Sequence, residues 1–175
     1  MFVFAGLEAT IAMWAERQFS WGPREVGRLF AYVGVVAAVV QGGLIGPATR
    51  RWGEARVVVL GLCGLVIGFA AMPLAQNMTV LLVATALLAG GFGLCNPALN
   101  SLISRRASSE SQGAALGVAQ SGASLARILG PAFAGAVFST WGRHAPYMIG
   151  AVLLLFAIWI AWRMVRASES TKFPS

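Results

Sequence analysis

Residues 57–75 read VVVLGLCGLVIGFAAMPLA, and after the four residues QNMT the chain resumes at 80–99 with VLLVATALLAGGFGLCNPAL. As helices, stretches of this length rise about 30 Å, the thickness of a bilayer's hydrocarbon core. Four more apolar stretches match them in scale: Met1 to Phe19, Val26 to Gly46, Ala114 to Phe138 and Ala145 to Trp162. A soluble chain of 175 residues has no interior large enough to hide six such segments. In lipid every backbone amide needs an internal partner, and the segments lack the two-residue alternation of barrel strands. The sequence therefore predicts an all-α integral membrane bundle of six transmembrane helices. It occupies residues 1–165 as one domain, with 166–175 as a cytoplasmic tail.

Composition agrees: 58% of residues are hydrophobic and 11% charged, against roughly 45–50% and 25% in soluble domains. The net charge of +7 does not mark a nucleic-acid binder, because the cations segregate by loop. Arg50, Arg51, Arg56, Arg105, Arg106, Arg163, Arg166 and Lys172 fall on one side of a six-span topology. Arg17, Arg24, Arg28 and Arg143 fall on the other. The richer side is expected in the cytoplasm, with both termini there, in the inner cell membrane. Loops are expected at 17–28, 47–56 and 100–113, with a very short turn at 76–79 joining two antiparallel spans. The run Ser108–Ser111 is positioned to cap the helix that follows.

Cys63 and Cys95 lie inside apolar spans and read as small hydrophobes rather than a disulfide or metal pair. No metal or other cofactor is expected. The first span has no basic leader and is interrupted by Glu8, so it does not read as a signal peptide. Its abrupt start suggests a chain that begins inside something larger. Glycines at 34, 42, 43 and 46, at 61, 64 and 68, and at 90, 91 and 93 sit where membrane helices need close approach. Phe2, Phe4, Trp14, Phe30, Tyr32 and Phe92 are assigned to lipid by default.

Two ionisable groups fall deep inside spans, Glu8 and Arg127. Each costs roughly 2.5–3.5 kcal/mol at the membrane centre on insertion scales, so each calls for a partner or a task. Each lies eleven residues before the end of its span, at Phe19 and Phe138. That places both about 16 Å below the same surface, where they can meet across the bundle. They read either as a static pair or as a titrating acid held beside a fixed cation. Gly113, Gly117, Gln120, Ser121, Ser124, Arg127, Pro131 and Gly135 recur at helical spacing. Such a face is expected to line a neighbouring helix or a wet path, with Pro131 kinking the helix. Gln41, Asn96 and Asn100 are expected to add polar groups to that interior.

The string Ser124-Leu125-Ala126-Arg127-Ile128-Leu129-Gly130-Pro131-Ala132-Phe133-Ala134-Gly135 contains a G-P-x-x-x-G core. With it the chain resembles the major facilitator superfamily, in particular the carboxy-terminal six helices of its tetracycline- and multidrug-type efflux members. There this core belongs to the antiporter motif, which puts Gly130, Pro131 and Gly135 in a structural or gating role. Residues 46–56 resemble a degenerate G-x-x-x-D-R-x-G-R-R loop, with Gly46, Arg51 and Gly53 matching and Arg50 standing where the family has Asp. Leu7-Glu8-Ala9-Thr10, Trp14-Ala15-Glu16, Trp21-Gly22-Pro23 and Asn96-Pro97-Ala98-Leu99-Asn100-Ser101 are similar to stretches of the same members. The resemblance implies half of a twelve-helix fold and proton-coupled efflux of a hydrophobic small molecule by alternating access. Glu8, Arg127, Gln41, Gln120, Ser124 and Asn96 would lie on the substrate or proton pathway. It also implies a missing amino-terminal six-helix half, or a second copy, as partner. The alternative is a half-size protein that pairs with another membrane protein without transporting.

Two rivals are disfavoured by the residues. Asn96-Pro97-Ala98 occurs once, whereas water channels use two copies meeting at the midplane. An intramembrane serine protease needs Gly-x-Ser-Gly and a buried histidine, but Ala119 precedes Ser121-Gly122 by one residue and the lone His144 sits in a turn. The chain is not expected to be an enzyme.

Overall fold

The computed structural model describes residues 1–170, with side chains described as far as Arg163. Six helices follow in order: α1 (Phe2–Phe19), α2 (Pro23–Trp52), α3 (Glu54–Ala71), α4 (Met78–Arg106), α5 (Gln112–Trp141) and α6 (Ala145–Ser170). No strand occurs among the described residues, so the all-α membrane bundle is borne out. Helices α2 to α6 are each long and apolar enough to cross a bilayer. The shorter α1 carries Glu8, Glu16 and Arg17, yet contributes the fully buried Trp14 to the core.

The connections are shorter than expected. The 47–56 loop shrinks to Gly53, because α2 runs on to Trp52 and α3 starts at Glu54. A φ of 78° at Gly53 reverses the chain in one residue, a conformation that a side chain would strain. The 17–28 loop likewise contracts to 20–22. Pro23 opens α2 at its first turn, and the Glu25 carboxylate accepts the Gly22 N–H at 3.1 Å. Helix α4 runs to Arg106 and leaves only 107–111 of the 100–113 loop. Ser108 does not cap α5. Its hydroxyl meets Ser111 at 2.8 Å, closing its own turn instead. Asn77 caps α4 by accepting from the Val80 amide at 2.9 Å. Helix α6 is continuous across the 165/166 division read from the sequence, to Ser170, and 171–175 of that tail lie outside the described residues.

Helix α3 is the centre of the bundle, packed on α4 and α6, while α1 packs on α5 and α2 on α4. Trp14, Phe69, Phe138 and Tyr147 are the largest side chains fully enclosed. Between α3 and α4 the backbones touch. A Cβ on Gly61 would lie 2.7 Å from the Gly91 carbonyl oxygen, and a Cβ on Gly91 would lie 2.6 Å from that of Gly61. Between α1 and α5 the same holds at Gly130, where a Cβ would run into the Phe2 carbonyl oxygen. The glycines of α2 at 34, 42, 43 and 46 meet nothing within 4 Å, so the packing role expected of them fails within this chain.

The polar stripe of α5 also departs from expectation. Gly113, Gly117, Gln120, Ser121, Ser124 and Arg127 are exposed on the outside of this six-helix body rather than set against another of its helices. Helix α5 continues unbroken through Pro131, which leaves the Arg127 carbonyl without its helical N–H partner.

Charged side chains are tied down at both ends of the bundle. Arg105 Nε pairs with Glu54 at 3.0 Å and Ser101 Oγ donates to the same oxygen at 3.4 Å. This contact joins the Gly53 turn and the end of α4 at one face. At the opposite end Arg143 donates to the Arg17 carbonyl at 2.9 Å and, through Nε, to His144 Nε2 at 3.1 Å. Accepting that bond requires neutral His144 with its proton on Nδ1, an atom that is buried without a partner. Burial, then the Arg143 charge, holds His144 below the usual histidine value.

Two outcomes are expected. Gly61→Val should lower the unfolding free energy in detergent by about 1–3 kcal/mol through overpacking, whereas Gly34→Ala should stay within about 0.5 kcal/mol of the parent. Because the histidine's folded pKa is depressed, its contribution should be complete above about pH 6.5 and decline as pH falls below that. Melting temperatures between pH 7.5 and 5 should therefore drop less in His144→Gln than in the parent chain.

Candidate functional site

Helices α1, α4 and α5 enclose a recess of about 360 Å³ lined by Met1, Phe4, Ala5, Glu8, Phe92 and Arg127. Its floor is a stacked aromatic pair: the Phe4 and Phe92 rings lie 4.0 Å apart and 11° from parallel, tying α1 to α4. Glu8 and Arg127 stand on its walls, both exposed to the recess mouth. A narrower slot of about 40 Å³ continues from Phe4 and Glu8 toward Leu29, Phe30, Val33 and Thr85. One carboxylate therefore borders two spaces, one walled by a guanidinium and one almost wholly apolar.

The acid and the base share the recess but form no ion pair within 4.0 Å among the described residues. The expected match in depth fails because the helices are shifted in register. Gly6 lies against Gly130 and Ala134, and the Phe2 ring meets the Phe133 ring at 5.4 Å. Position 8 of α1 is thus level with about position 136 of α5, roughly nine residues or 13 Å above Arg127. The shift follows from where the backbones touch: Gly130 of α5, with no side chain, meets the Phe2 carbonyl.

Gln41 sits in a π turn, Val40–Leu44, that interrupts α2, and its side chain passes near Gly93 of α4. Such turns often mark functional positions, and the irregular backbone here is unpartnered by any helix of this chain at Gly42 and Gly43. Asn96 is half-buried one turn beyond Phe92, while Asn100, Gln120 and Ser124 are exposed. None of these four, nor Gln41, lines the recess. Gly130 is buried at the α1 contact, and Gly135 and Gly46 meet nothing within 4 Å. Arg51 lies over the Trp52 ring at 5.9 Å, beside the Gly53 turn.

Among the aromatics assigned to lipid, Phe4, Phe92 and Phe30 face these spaces, Trp14 is in the core, and Tyr32 donates to the Leu82 carbonyl at 3.2 Å. A buried contact that the sequence did not signal links Thr10 Oγ1 to the Tyr147 hydroxyl at 3.4 Å. Thr10 also donates to the Gly6 carbonyl at 2.8 Å, so this group fixes α1 against α6 two residues from Glu8.

The family model described as Major Facilitator Superfamily matches residues 1–175. The chain is 30% identical over 154 residues to the class C tetracycline resistance protein of Escherichia coli, covering 84% of this chain and 38% of that protein. It is 27% identical over 158 residues to multidrug resistance protein 2 of Bacillus subtilis, with 90% and 39% covered. The crystal structure of the human organic anion transporter MFSD10 (TETRAN) superposes with a TM-score of 0.83 at 26% identity, over 91% of this chain and 37% of that one. The chain thus spans about two fifths of the length of these relatives.

If the recess is open as described, a water-soluble maleimide should label Glu8→Cys and Arg127→Cys in a chain lacking Cys63 and Cys95. Thr10→Cys, at a position with no exposure, should react at least tenfold more slowly. Equal rates at all three positions would contradict the geometry.

Proposed function

The chain belongs to the major facilitator superfamily and is a multi-pass membrane protein, and we propose that it acts as the carboxy-terminal half of a proton-coupled exporter of hydrophobic small molecules. The observation that carries this reading is the recess itself, with Glu8 and Arg127 unpaired across it and Phe4 and Phe92 as an aromatic floor. An acid paired tightly to an arginine is a structural element. An acid beside an arginine but not bonded to it can take up and release a proton without dismantling a salt bridge.

In this scheme the protonated Glu8 leaves a nearly neutral wall, and the ionised carboxylate restores a field that a cationic or polar substrate group can sense. Arg127 stands across the same recess as a guanidinium that a substrate group can also meet. The apolar slot at Phe30, Val33 and Thr85 supplies contact area for the rest of the substrate. The unpartnered glycines of α2 and the exposed polar face of α5 are the surfaces a second six-helix half would cover. The Gly53 turn, with Arg51 and the Glu54–Arg105 pair, is assigned to the cytoplasmic face, where rocking of the two halves would make and break contacts.

Fluorescent-dye efflux from a sensitised host tests the proposal. Expression together with an amino-terminal six-helix half should give export, and expression of this chain alone should give none. Glu8→Gln should abolish the dependence of export on the proton gradient, and Arg127→Met should reduce export at least tenfold. Export with an unaltered pH profile in Glu8→Gln would remove Glu8 from coupling. Stable pairing of the two halves without any export would favour the non-transporting partner reading.

A further inference from the structure

A second built recess lies at the far end of α2, between α2 and α4, with a volume of about 280 Å³. Its walls are Trp21, Glu25, Arg28, Leu29, Met78 and Leu82. Arg28 enters the topology argument only as one of the cations on the poorer side. The efflux scheme uses none of these residues except the shared wall at Leu29. We propose that this recess is a binding site for a zwitterionic phospholipid, held by its headgroup at Arg28, Glu25 and Trp21 and by an acyl chain along Met78 and Leu82.

The depth is right for a headgroup. The 30 residues of α2 rise about 45 Å, some 15 Å more than the hydrocarbon core, so about 7 Å projects at each end if the overhang is shared. Arg28, five residues past Pro23, sits about 7 Å along that axis, at the boundary between headgroups and acyl chains.

The chemistry is complementary to one class of ligand. The Arg28 guanidinium is exposed and makes no ion pair or hydrogen bond among the described residues. A phosphodiester matches its planar donor array. One Glu25 oxygen is occupied by the Gly22 amide, and the other is free for a headgroup ammonium. The Trp21 ring, itself stacked on Phe19 at 5.2 Å, offers a face for the same cation. Below these groups the floor is apolar, with Leu29 buried and Met78 and Leu82 one turn apart on α4. A protein helix laid into this recess would have to bury an unpaired cation and a half-used carboxylate. A zwitterionic lipid satisfies both and leaves its tail in hydrocarbon.

Native mass spectrometry of the full chain in a mild detergent tests the site, with phosphatidylethanolamine, phosphatidylcholine and phosphatidylglycerol added in equal amounts. The two zwitterionic lipids should be retained in preference to phosphatidylglycerol. Arg28→Ala should weaken lipid affinity at least tenfold, the worth of one charge-assisted contact. Glu25→Gln should erase the preference over phosphatidylglycerol while keeping the cap on α2. Arg24→Ala, exposed one turn away and outside the recess, should change nothing, and the circular dichroism of all variants should match the parent. The proposal is overturned by equal retention of phosphatidylglycerol in the parent chain, by full lipid retention in Arg28→Ala, or by displacement of lipid with equimolar soluble glycerophosphoethanolamine.

Discussion

Helices already dissolved in lipid gain little from hiding apolar surface against one another, so close backbone approach decides how this bundle is held. Two glycine contacts do that here. Gly61 and Gly91 bring α3 and α4 together until carbonyl oxygens stand where side chains would otherwise begin, and Gly130 brings α5 against the start of α1. Dispersion contacts accumulate at such separations, and Trp14, Phe69 and Tyr147 fill the space left between the touching backbones. A shift of α5 against α1 by one turn would place a side chain against the Phe2 carbonyl. The register of the helices is therefore set by where side chains are missing.

That register governs the chemistry. With Gly130 under Phe2, the level of Arg127 falls well below that of Glu8, and the acid and base become opposite walls of one recess rather than a bonded pair. The same placement lets Phe4 reach Phe92 across the floor. It also leaves the α5 face carrying Gln120 and Ser124 uncovered by this chain. The Thr10–Tyr147 contact adds a lateral constraint two residues from Glu8, so the carboxylate is carried by a helix fixed on two sides. The start of α2, with Arg28 and Glu25, borders a separate recess between α2 and α4 that shares only Leu29 with the slot beside Glu8.

The number of helices, their membrane setting and the family were legible because they rest on long-range averages: apolar length, charge segregation and ordered motif strings such as Gly130-Pro131 with Gly135. Helix ends were less so. Gly53 reads as one glycine in a loop, and only its positive φ reveals that a single residue makes the whole turn. Equal distances to Phe19 and Phe138 gave a false match in depth, because α5 begins and ends beyond its apolar stretch and the Gly130 contact fixes the offset. Glycine spacing marked the α3–α4 seam correctly but gave no sign that the glycines of α2 face away from this chain. Pairwise contacts between distant segments, such as Phe4 with Phe92 or Thr10 with Tyr147, leave no trace in local pattern.

The register of α1 against α5 is the point on which the rest turns, and cross-linking in membranes measures it most directly. In a chain lacking Cys63 and Cys95, a short bifunctional thiol reagent should join Phe2→Cys to Phe133→Cys rapidly and Glu8→Cys to Arg127→Cys slowly or not at all. Rapid joining of positions 8 and 127 with none between 2 and 133 would mean a bonded acid–base pair at one depth, and the recess described here would not exist.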